Sequence, residues 1–327
     1  MIDLHLHLDG SLSVKTVRKL AKMNGTDIPE SDSELIKMIQ ISSDCKDLNE
    51  YLEKFDFACS LLQTPQALCE AAYSLCTELK EQGLIYAEIR FAPQKHTEKG
   101  MTQKESVEAV LDGIGKSGFS AGIILCCMRG NDNREQNIET IRIAKEFENK
   151  GVCAVDLAGA EALFATENFE DVFALAKELS IPCTIHAGEA DGPKSIKKAI
   201  GFGVKRIGHG VRAAEDEELL KELAIKRIPL EVCVKSNIDT SVFDKTADHS
   251  IKKLIDSGVI VTVNTDNTTV SATSLKDEFK NIIAAFSLTD EEVKKLMLNS
   301  ADAAFTTNEN KEMLKSKIEI GFKEFVR

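Results

Sequence analysis

The sequence contains no tryptophan, only six prolines and no biased or repetitive segment. Because such segments are typical of linkers and disordered regions, their absence predicts a chain that folds along its length. No apolar run approaches the roughly 18 residues of a membrane-spanning helix, which predicts a soluble protein without a membrane partner. The formal net charge of -12 repels phosphate backbones, so we expect a small neutral or cationic ligand and no nucleic acid partner.

Cysteines are present, but they lack any disulfide or zinc-knuckle pattern. The nine residues include no CxxC pair and lie mostly in apolar runs, such as the one that contains Cys126 and Cys127. This usage predicts buried thiols in the reducing cytoplasm. A cleaved leader is not expected, because the first predicted strand begins at about residue 2 and carries candidate metal ligands.

Eight short apolar runs recur along the chain, most of them separated by amphipathic segments of up to about 15 residues. The runs are Ile2–Leu8, Leu84–Phe91, Ala121–Cys127, Val152–Leu157, Cys183–His186, Arg206–Gly208, Leu230–Val234 and Val259–Asn264. Strands that alternate with helices are typical of a parallel sheet, and eight of them predict an α/β fold of the (β/α)8 TIM-barrel class. A doubly wound open sheet is the alternative, although no GxGxxG follows the first strand. We expect residues 1–327 to form a single barrel domain.

Helices are also predicted outside this alternation. Residues from about 13 to 81 form a polar stretch with helical spacing, including Leu48–Leu62 and Gln66–Glu81, and are interpreted as an insertion after strand one. Insertions of this size above a barrel usually build a lid or a pocket wall. The tail from Leu275 is helical as well, and Thr289 has the spacing of a capping box that opens the helix Glu292–Leu298.

The six histidines are not scattered evenly, and most fall at predicted strand ends. His5 and His7 alternate with apolar residues, so both side chains point to the same face of strand one. His186 ends strand five, His209 ends strand six and Asp266 ends strand eight. Working groups of a TIM barrel lie at the C-terminal ends of its strands, so these five residues are predicted to meet there.

Three imidazoles and one carboxylate of this group suit a zinc ion or another borderline divalent metal. The set is His5, His7, His186 and Asp266. These residues can converge only if strand eight closes against strand one, which ties the metal prediction to the fold prediction. The alternative for His5 and His7 is a pair of buried, hydrogen-bonded histidines. The other two histidines of the chain, His96 and His249, are interpreted as surface or packing residues.

Two residues have positions suited to proton transfer. Glu189 follows His186 by three residues in a turn, where its carboxyl can reach over the pocket as a general acid without binding the metal. His209, between Gly208 and Gly210, can take or orient a proton of a metal-bound water. The alternatives are a charge at a helix N-terminus for Glu189 and a capped loop position for His209.

Seven segments carry a family resemblance. They are His5–Ser11, Ala87–Pro93, Asp156–Gly159, His186–Glu189, Arg206–Gly210, Ser236–Asn237 and Asn264–Asp266. Together, and in this order, they resemble the adenosine deaminase family of the amidohydrolase superfamily. The resemblance implies a (β/α)8 barrel with one zinc ion held by the four residues named above. It also implies hydrolytic deamination of adenosine and deoxyadenosine to the inosine forms, with a purine nucleoside as the small-molecule partner.

The resemblance further implies roles for individual residues. Glu189 would protonate purine N1, and His209 would assist the attacking water, whose pKa zinc lowers toward about 7. Asp266 would be catalytic as well as a metal ligand. Gly159 would meet the purine through its backbone and Asp9 would meet the ribose; the alternative for Asp9 is a simple turn residue.

The chain departs from the family at four positions. Asn267 stands where the family carries a second aspartate associated with purine N7, and prolines are usual at the positions of Thr268, Val234 and Ser250. An amide can still donate a hydrogen bond, as a neutral acid does. Two alternative functions therefore stay open: a deaminase of another aminopurine, such as adenine or an N6-substituted adenylate, and a protein that binds zinc and a purine nucleoside without useful catalysis.

Overall fold

The computed structural model describes residues 1–42 and 45–325. Eight parallel strands form two four-stranded sheets, each with its strands in chain order. The strands are β1 (Ile2–His7), β2 (Tyr86–Phe91), β3 (Ala121–Met128), β4 (Val152–Ala158), β5 (His186–Ala187), β6 (Ile207–His209), β7 (Leu230–Val232) and β8 (Val261–Val263). The predicted α/β fold with parallel strands is confirmed.

The two sheets are joined at both edges by single bridges. Val155 of β4 pairs with Cys183 ahead of β5, and Leu6 of β1 pairs with Asp266 beyond β8. At the second junction the Asp266 N–H donates to the His5 carbonyl at 2.8 Å. The bridges link the strands in the cyclic order that a (β/α)8 barrel requires, and they bring Asp266 beside the histidines of β1.

Helices fill the connections between the strands. Those in the described ranges are α1 (Val14–Asn24), α2 (Asp32–Ile39), α3 (Leu48–Leu52), α4 (Lys54–Leu61), α5 (Pro65–Glu81), α6 (Gln103–Ser117), α7 (Arg134–Glu146), α8 (Glu170–Glu178), α9 (Pro193–Phe202), α10 (Glu217–Lys226), α11 (Val234–Asp239), α12 (Ile251–Asp256), α13 (Leu275–Phe286), α14 (Asp290–Ala303) and α15 (Asn308–Phe325). Helices α1 to α5 form the insertion predicted after strand one, and α13 to α15 form the helical tail. None of the described helices is both long and apolar enough to cross a bilayer.

Some element boundaries differ from the predicted ones. The helix predicted over Leu48–Leu62 is divided at Glu53 into α3 and α4. Strand five is shorter than predicted, because only Cys183 pairs with β4 and only the two residues of β5 pair with β6. Helix α14 extends further than Glu292–Leu298 in both directions, and its capping box with Thr289 is present as predicted.

The barrel interior contains charged side chains as well as apolar ones. The charged residues are Glu88, Arg90, Asp156, Arg206 and Glu231, each exposed by no more than 1%. Branched apolar residues usually fill this space, and a buried charge is costly unless it is paired. The five charges pair with one another beneath the carboxyl ends of the strands, which is where the candidate site lies.

Candidate active site

A cavity of about 430 Å³ opens at the carboxyl ends of the strands, and its volume lies in the range of small-molecule sites. The predicted site residues that line it are His7, Asp9, Gly159, His186, Glu189, His209, Asp266 and Asn267. The remaining one, His5, is completely buried and reaches His186 from below. The structure thus brings every site residue predicted from the sequence to one place.

Four of these residues point their ligand atoms at a common position. The His186 Nε2 atom lies 3.0 Å from His5 Nε2 and 3.2 Å from His7 Nε2. Asp266 Oδ1 lies 3.5 Å from His5 Nε2 and 3.4 Å from His7 Nε2. Three imidazole nitrogens and one carboxylate oxygen in such proximity are a donor set that can hold a divalent metal.

His209 is close to the same position. Its ring forms a second possible metal-binding group with His5, His186 and Asp266, whose ligand atoms all lie within 4.8 Å of one another. The two sets therefore differ only in whether His7 or His209 completes them. His209 also contacts Glu189, because its Nε2 lies 3.5 Å from Glu189 Oε2. A histidine that served only as a metal ligand would not need this contact.

Two carboxylates orient the histidines from behind. His5 Nδ1 lies 2.8 Å from Glu231 Oε2, and His186 Nδ1 lies 2.9 Å from Asp156 Oδ2. A carboxylate at Nδ1 fixes the tautomer in which Nε2 carries the free lone pair, which is the usual arrangement behind a metal-binding histidine. Here that lone pair faces the cluster. We call the four clustered residues and these two carboxylates the metal side of the cavity.

The same carboxylates are held by two buried arginines. Arg90 lies 2.8 Å from both Asp156 and Glu231, and Arg206 pairs with Glu231 and Glu88. Burial alone would raise the pKa of Asp156, but the charges of His186 and Arg90 outweigh it and hold that pKa below its usual range. The carboxylates therefore stay ionised and remain acceptors for the imidazoles.

Sequence reasoning missed Glu231 and Arg206 as functional residues, although a signal was present. Glu231 stands between Leu230 and Val232, and Arg206 precedes the apolar start of β6. A charged residue inside a buried parallel strand needs a partner, and two such residues of opposite sign predict a pair.

Glu189 lies on the turn between β5 and α9 and lines the cavity beside His209. Burial raises the pKa of Glu189 well above its usual value, and the negative charges of Asp266 and Glu161 raise it further. The raised pKa favours the protonated form of this carboxyl. A protonated carboxyl in a cavity can donate a hydrogen bond or a proton to a basic ring nitrogen.

A chain of hydrogen bonds determines which nitrogen of His209 carries the proton. The Ile251 N–H donates to His249 Nδ1 at 3.0 Å, so neutral His249 must donate from Nε2 to Asn237 Oδ1, which lies 3.2 Å away. The Asn237 amide then presents its NH2 group to His209 Nδ1 at 3.1 Å. Neutral His209 consequently carries its proton on Nε2, the nitrogen near Glu189.

The two histidines interpreted as surface or packing residues are both buried. His249 is 3% exposed and orients Asn237, so it packs beneath the site and does not lie at the surface. His96 is completely buried away from the cluster, and its Nδ1 lies 3.1 Å from the Leu62 carbonyl. The packing interpretation applies to both residues, and the surface interpretation applies to neither.

The part of the cavity wall that contains Asp9 and Asn267 has polar atoms without partners. Asp9 Oδ1 and Asn267 Oδ1 are buried and accept no hydrogen bond within residues 1–42 and 45–325. Asn267 lies so close to Gly10 that a Cβ at Gly10 would be 1.8 Å from its Oδ1. Gly159 adds backbone to the wall with φ of 106°, a conformation that glycine adopts without strain. Apolar side chains of α3 and α4 complete this wall, namely Leu48, Tyr51, Leu52 and Phe55. We call this wall the substrate side.

A comparison of the sequence with protein families identifies the chain. The adenosine deaminase family profile matches residues 1–320. The chain belongs to the adenosine deaminase family. An adenosine deaminase of Haemophilus ducreyi is 47% identical over 100% of this chain and 97% of its own length. One from Enterococcus faecalis is 39% identical, covering 97% of this chain and 95% of its own length.

Solved structures of deaminases share the fold. Adenine deaminase from Arthrobacter aurescens has a TM-score of 0.89 and 26% identity, with 98% of each chain covered. The N6-mAMP deaminase of arabidopsis has a TM-score of 0.87 and 25% identity over 98% of this chain and 97% of its own. A Burkholderia ambifaria amidohydrolase, solved with bound Zn, has the same fold with a TM-score of 0.88 at 20% identity, covering 99% of this chain and 90% of its own.

Proposed function

We propose that the chain catalyses the hydrolytic deamination of adenosine and deoxyadenosine to the inosine forms. Relatives named adenosine deaminase match it along nearly its whole length at 39% and 47% identity. The observation that carries the proposal is a buried His and Asp cluster that lines one cavity together with Glu189, a buried carboxyl whose pKa is raised by burial. This arrangement suits addition of water to a ring carbon while the adjacent ring nitrogen gains a proton.

We propose zinc as the metal, one ion per chain, with His5, His7, His186 and Asp266 as its ligands. The donor set fits, because it combines three imidazoles with a carboxylate and two of the imidazoles are oriented by carboxylates. Zinc supplies the means to ionise water near pH 7 when it is bound in such a site. His209 is assigned to proton handling, because its Nε2 lies beside Glu189 and its Nδ1 is engaged by Asn237.

The proposed roles of the remaining residues follow from their protonation and exposure. Glu189 holds its proton toward purine N1, where charge builds as C6 becomes tetrahedral. Asp9 accepts a hydrogen bond from the ribose, and the amide of Asn267 lies toward purine N7. The unpartnered oxygen of Asp9 supports its placement, since a buried oxygen that accepts no hydrogen bond costs free energy unless a ligand supplies the donor. Purine N7 is itself an acceptor, so the group of Asn267 that would meet it is the NH2.

A second candidate function is deamination of another aminopurine, as the names of the Arthrobacter and arabidopsis neighbours suggest. An adenylate would bring a phosphate to the outer rim of the cavity. That rim contains two exposed carboxylates, Asp56 and Glu98, and one exposed cation, Lys95. Because the carboxylates outnumber the cation, the rim repels a phosphate, and we favour a nucleoside over a nucleotide.

The experiment that tests the function combines a metal assay with substrate turnover. Purified chain and Glu189→Gln are examined for bound metal and for loss of adenosine absorbance. Ammonia release is measured with adenosine, deoxyadenosine and adenine, and methylamine release with N6-methyl-AMP. We expect stoichiometric zinc in both proteins and fast turnover of the nucleosides by the natural chain alone. Faster turnover of adenine or N6-methyl-AMP would replace the proposed substrate. Bound zinc without turnover of any aminopurine would favour a binding protein.

We also propose a cytoplasmic location on the basis of cysteine usage. All nine cysteines are unpaired thiols in the described structure, and six of them are buried. Free buried thiols are typical of proteins kept in a reducing compartment. Fractionation of the source cells with an antibody to the chain tests the location.

A further inference from the structure

The turn that carries Glu189 is held by a single buried carboxylate, that of Glu161. Glu161 Oε1 accepts the Gly188 N–H at 2.7 Å, and Glu161 Oε2 accepts the N–H of Glu189 at 3.0 Å. The same Oε2 accepts the N–H groups of Ala190 at 2.8 Å and Asp191 at 3.0 Å. Four consecutive backbone donors thus converge on one side chain, and Glu189 is the second of the four.

Glu161 is held by hydrogen bonds and not by an ion pair. It is 2% exposed and forms no salt bridge with any residue in the described ranges. The buried cation Arg129 is near enough for the two charges to interact, but it donates its hydrogen bonds to other residues. Its remaining hydrogen bond comes from the Ser195 hydroxyl at the start of α9. Backbone N–H groups that converge in this way form an anion-binding site, and here the anion belongs to the protein itself. The four N–H groups therefore stabilise the carboxylate of Glu161, and the carboxylate holds these N–H groups in place.

The carbonyl side of the turn is held separately. The Arg212 side chain donates to the Glu189 carbonyl at 2.9 Å, and the Arg212 N–H donates to the Gly188 carbonyl at 3.1 Å. Glu161 is the acceptor for the N–H side, and no other partner of those four N–H groups occurs in the described structure. Without it, the N–H groups of the turn would need another acceptor in a buried place.

We propose that Glu161 is a positioning residue, which fixes the turn that carries Glu189 and so sets where the Glu189 carboxyl meets the purine. This role rests on the proposed deaminase function, in which Glu189 protonates N1. A carboxyl displaced by about 1 Å from its partner atom can lose about a hundredfold in rate. Gln at position 161 has one acceptor oxygen in place of two and presents an NH2 group to the donors of the turn.

The test is a double-variant cycle with Glu161→Gln and Glu189→Gln. We expect Glu161→Gln to lower kcat for adenosine by about a hundredfold, with a much smaller change in KM and unchanged metal content. We expect the double variant to be no slower than Glu189→Gln alone, because Glu161 acts through Glu189. Losses that multiply in the double variant would overturn the proposal, since they would mean that Glu161 acts on the fold in general.

Hydrogen exchange provides a readout that needs no activity. We expect the amides of residues 188–191 to exchange faster in Glu161→Gln than in the natural chain, while those of α6 keep their protection. Glu105→Gln is the control, because Glu105 also accepts a backbone N–H, that of Thr102 at 2.8 Å, but does not line the cavity. If Glu161→Gln fails to fold, Glu161→Asp retains the charge at a shorter reach and is judged by the same cycle.

The two proposals fail in different ways. A natural chain that deaminates no aminopurine would end the deaminase proposal, and the exchange measurement would still show whether Glu161 holds the turn. An active natural chain with unchanged kcat and unchanged exchange in both Glu161 variants would end the positioning role and leave the deaminase proposal intact.

Discussion

The metal side and the substrate side of the cavity differ in how their polar atoms are satisfied. On the metal side, His5 and His186 are backed by Glu231 and Asp156, which are themselves held by Arg90. On the substrate side, Asp9 and Asn267 each keep a buried oxygen without a partner in the described chain, next to the apolar side chains of α3 and α4.

This difference indicates which groups are arranged in advance and which are completed by a ligand. A metal site needs ligands fixed to within a few tenths of an ångström, and layers of hydrogen bonds behind them provide that rigidity. A substrate site keeps polar atoms available for the substrate and takes its apolar area from the wall of the cavity. The insertion after β1 supplies that wall, whereas the barrel supplies the metal side.

The largest effect is expected from removal of a proposed ligand on the metal side. His186→Ala should lose the bound metal and slow adenosine turnover by about a thousandfold or more, because a metal contributes several kcal/mol to such reactions. Elemental analysis and turnover measure both losses. His96→Ala removes an equally buried imidazole outside the cluster and should keep its metal. Retention of full metal by His186→Ala would contradict the ligand assignment.

Glu189→Gln is the next largest change, and it separates the proton donor from the metal side. The amide keeps the shape of the carboxyl but cannot transfer a proton, so kcat should fall by about 10² to 10⁴. Metal content should equal that of the natural chain. A loss of metal in Glu189→Gln would mean that Glu189 belongs to the metal side and is not an independent acid.

Glu231→Gln tests whether the carboxylate behind His5 contributes to metal affinity and to stability. The change removes the negative charge behind His5 and replaces one of the two acceptor oxygens with an NH2 group, so Arg90 and Arg206 each lose a carboxylate partner. Metal affinity should fall by about 10- to 100-fold, and the free energy of unfolding by about 3–5 kcal/mol. Metal titration and denaturant unfolding measure the two quantities. An unchanged metal affinity would show that the carboxylate serves only the packing of the barrel.

Asn267→Asp is expected to have the smallest effect, on the substrate side alone. If the residue at this position only donates a hydrogen bond to N7, kcat/KM for adenosine should change by about tenfold or less. The metal content should not change. A much larger gain would show that the site needs an acid here and that the natural chain is adapted to another purine or to binding.

Much of the fold and of the metal side could be predicted from the sequence. Period-two alternation gave the direction of His5 and His7, and the strand rhythm placed His186 and Asp266 at the same end of the barrel. The resemblance to deaminase motifs added Asp9, Gly159 and Asn267. These predictions depended on local patterns and on the general rule that TIM-barrel sites lie at the carboxyl ends of strands.

What could not be predicted depends on contacts between distant residues. The pairing of Glu231 with His5 joins residues 226 positions apart, and the role of Glu161 depends on a turn 27 to 30 positions away. The packing role of His249 likewise depends on a hydrogen bond to Asn237. The division of the predicted helix Leu48–Leu62 into α3 and α4 at Glu53 has no signal in the local sequence. None of these residues forms a periodic signal.

The bridge between Leu6 and Asp266 has a consequence for biosynthesis. At roughly 5–20 residues per second, a ribosome needs roughly 13 to 52 s to proceed from the His7 codon to the Asp266 codon. During that time the N-terminal histidines have emerged without their carboxylate partner. If the proposed metal binds here, nascent chains lack its complete ligand set until Asp266 has been translated, and full-affinity metal binding follows translation of β8.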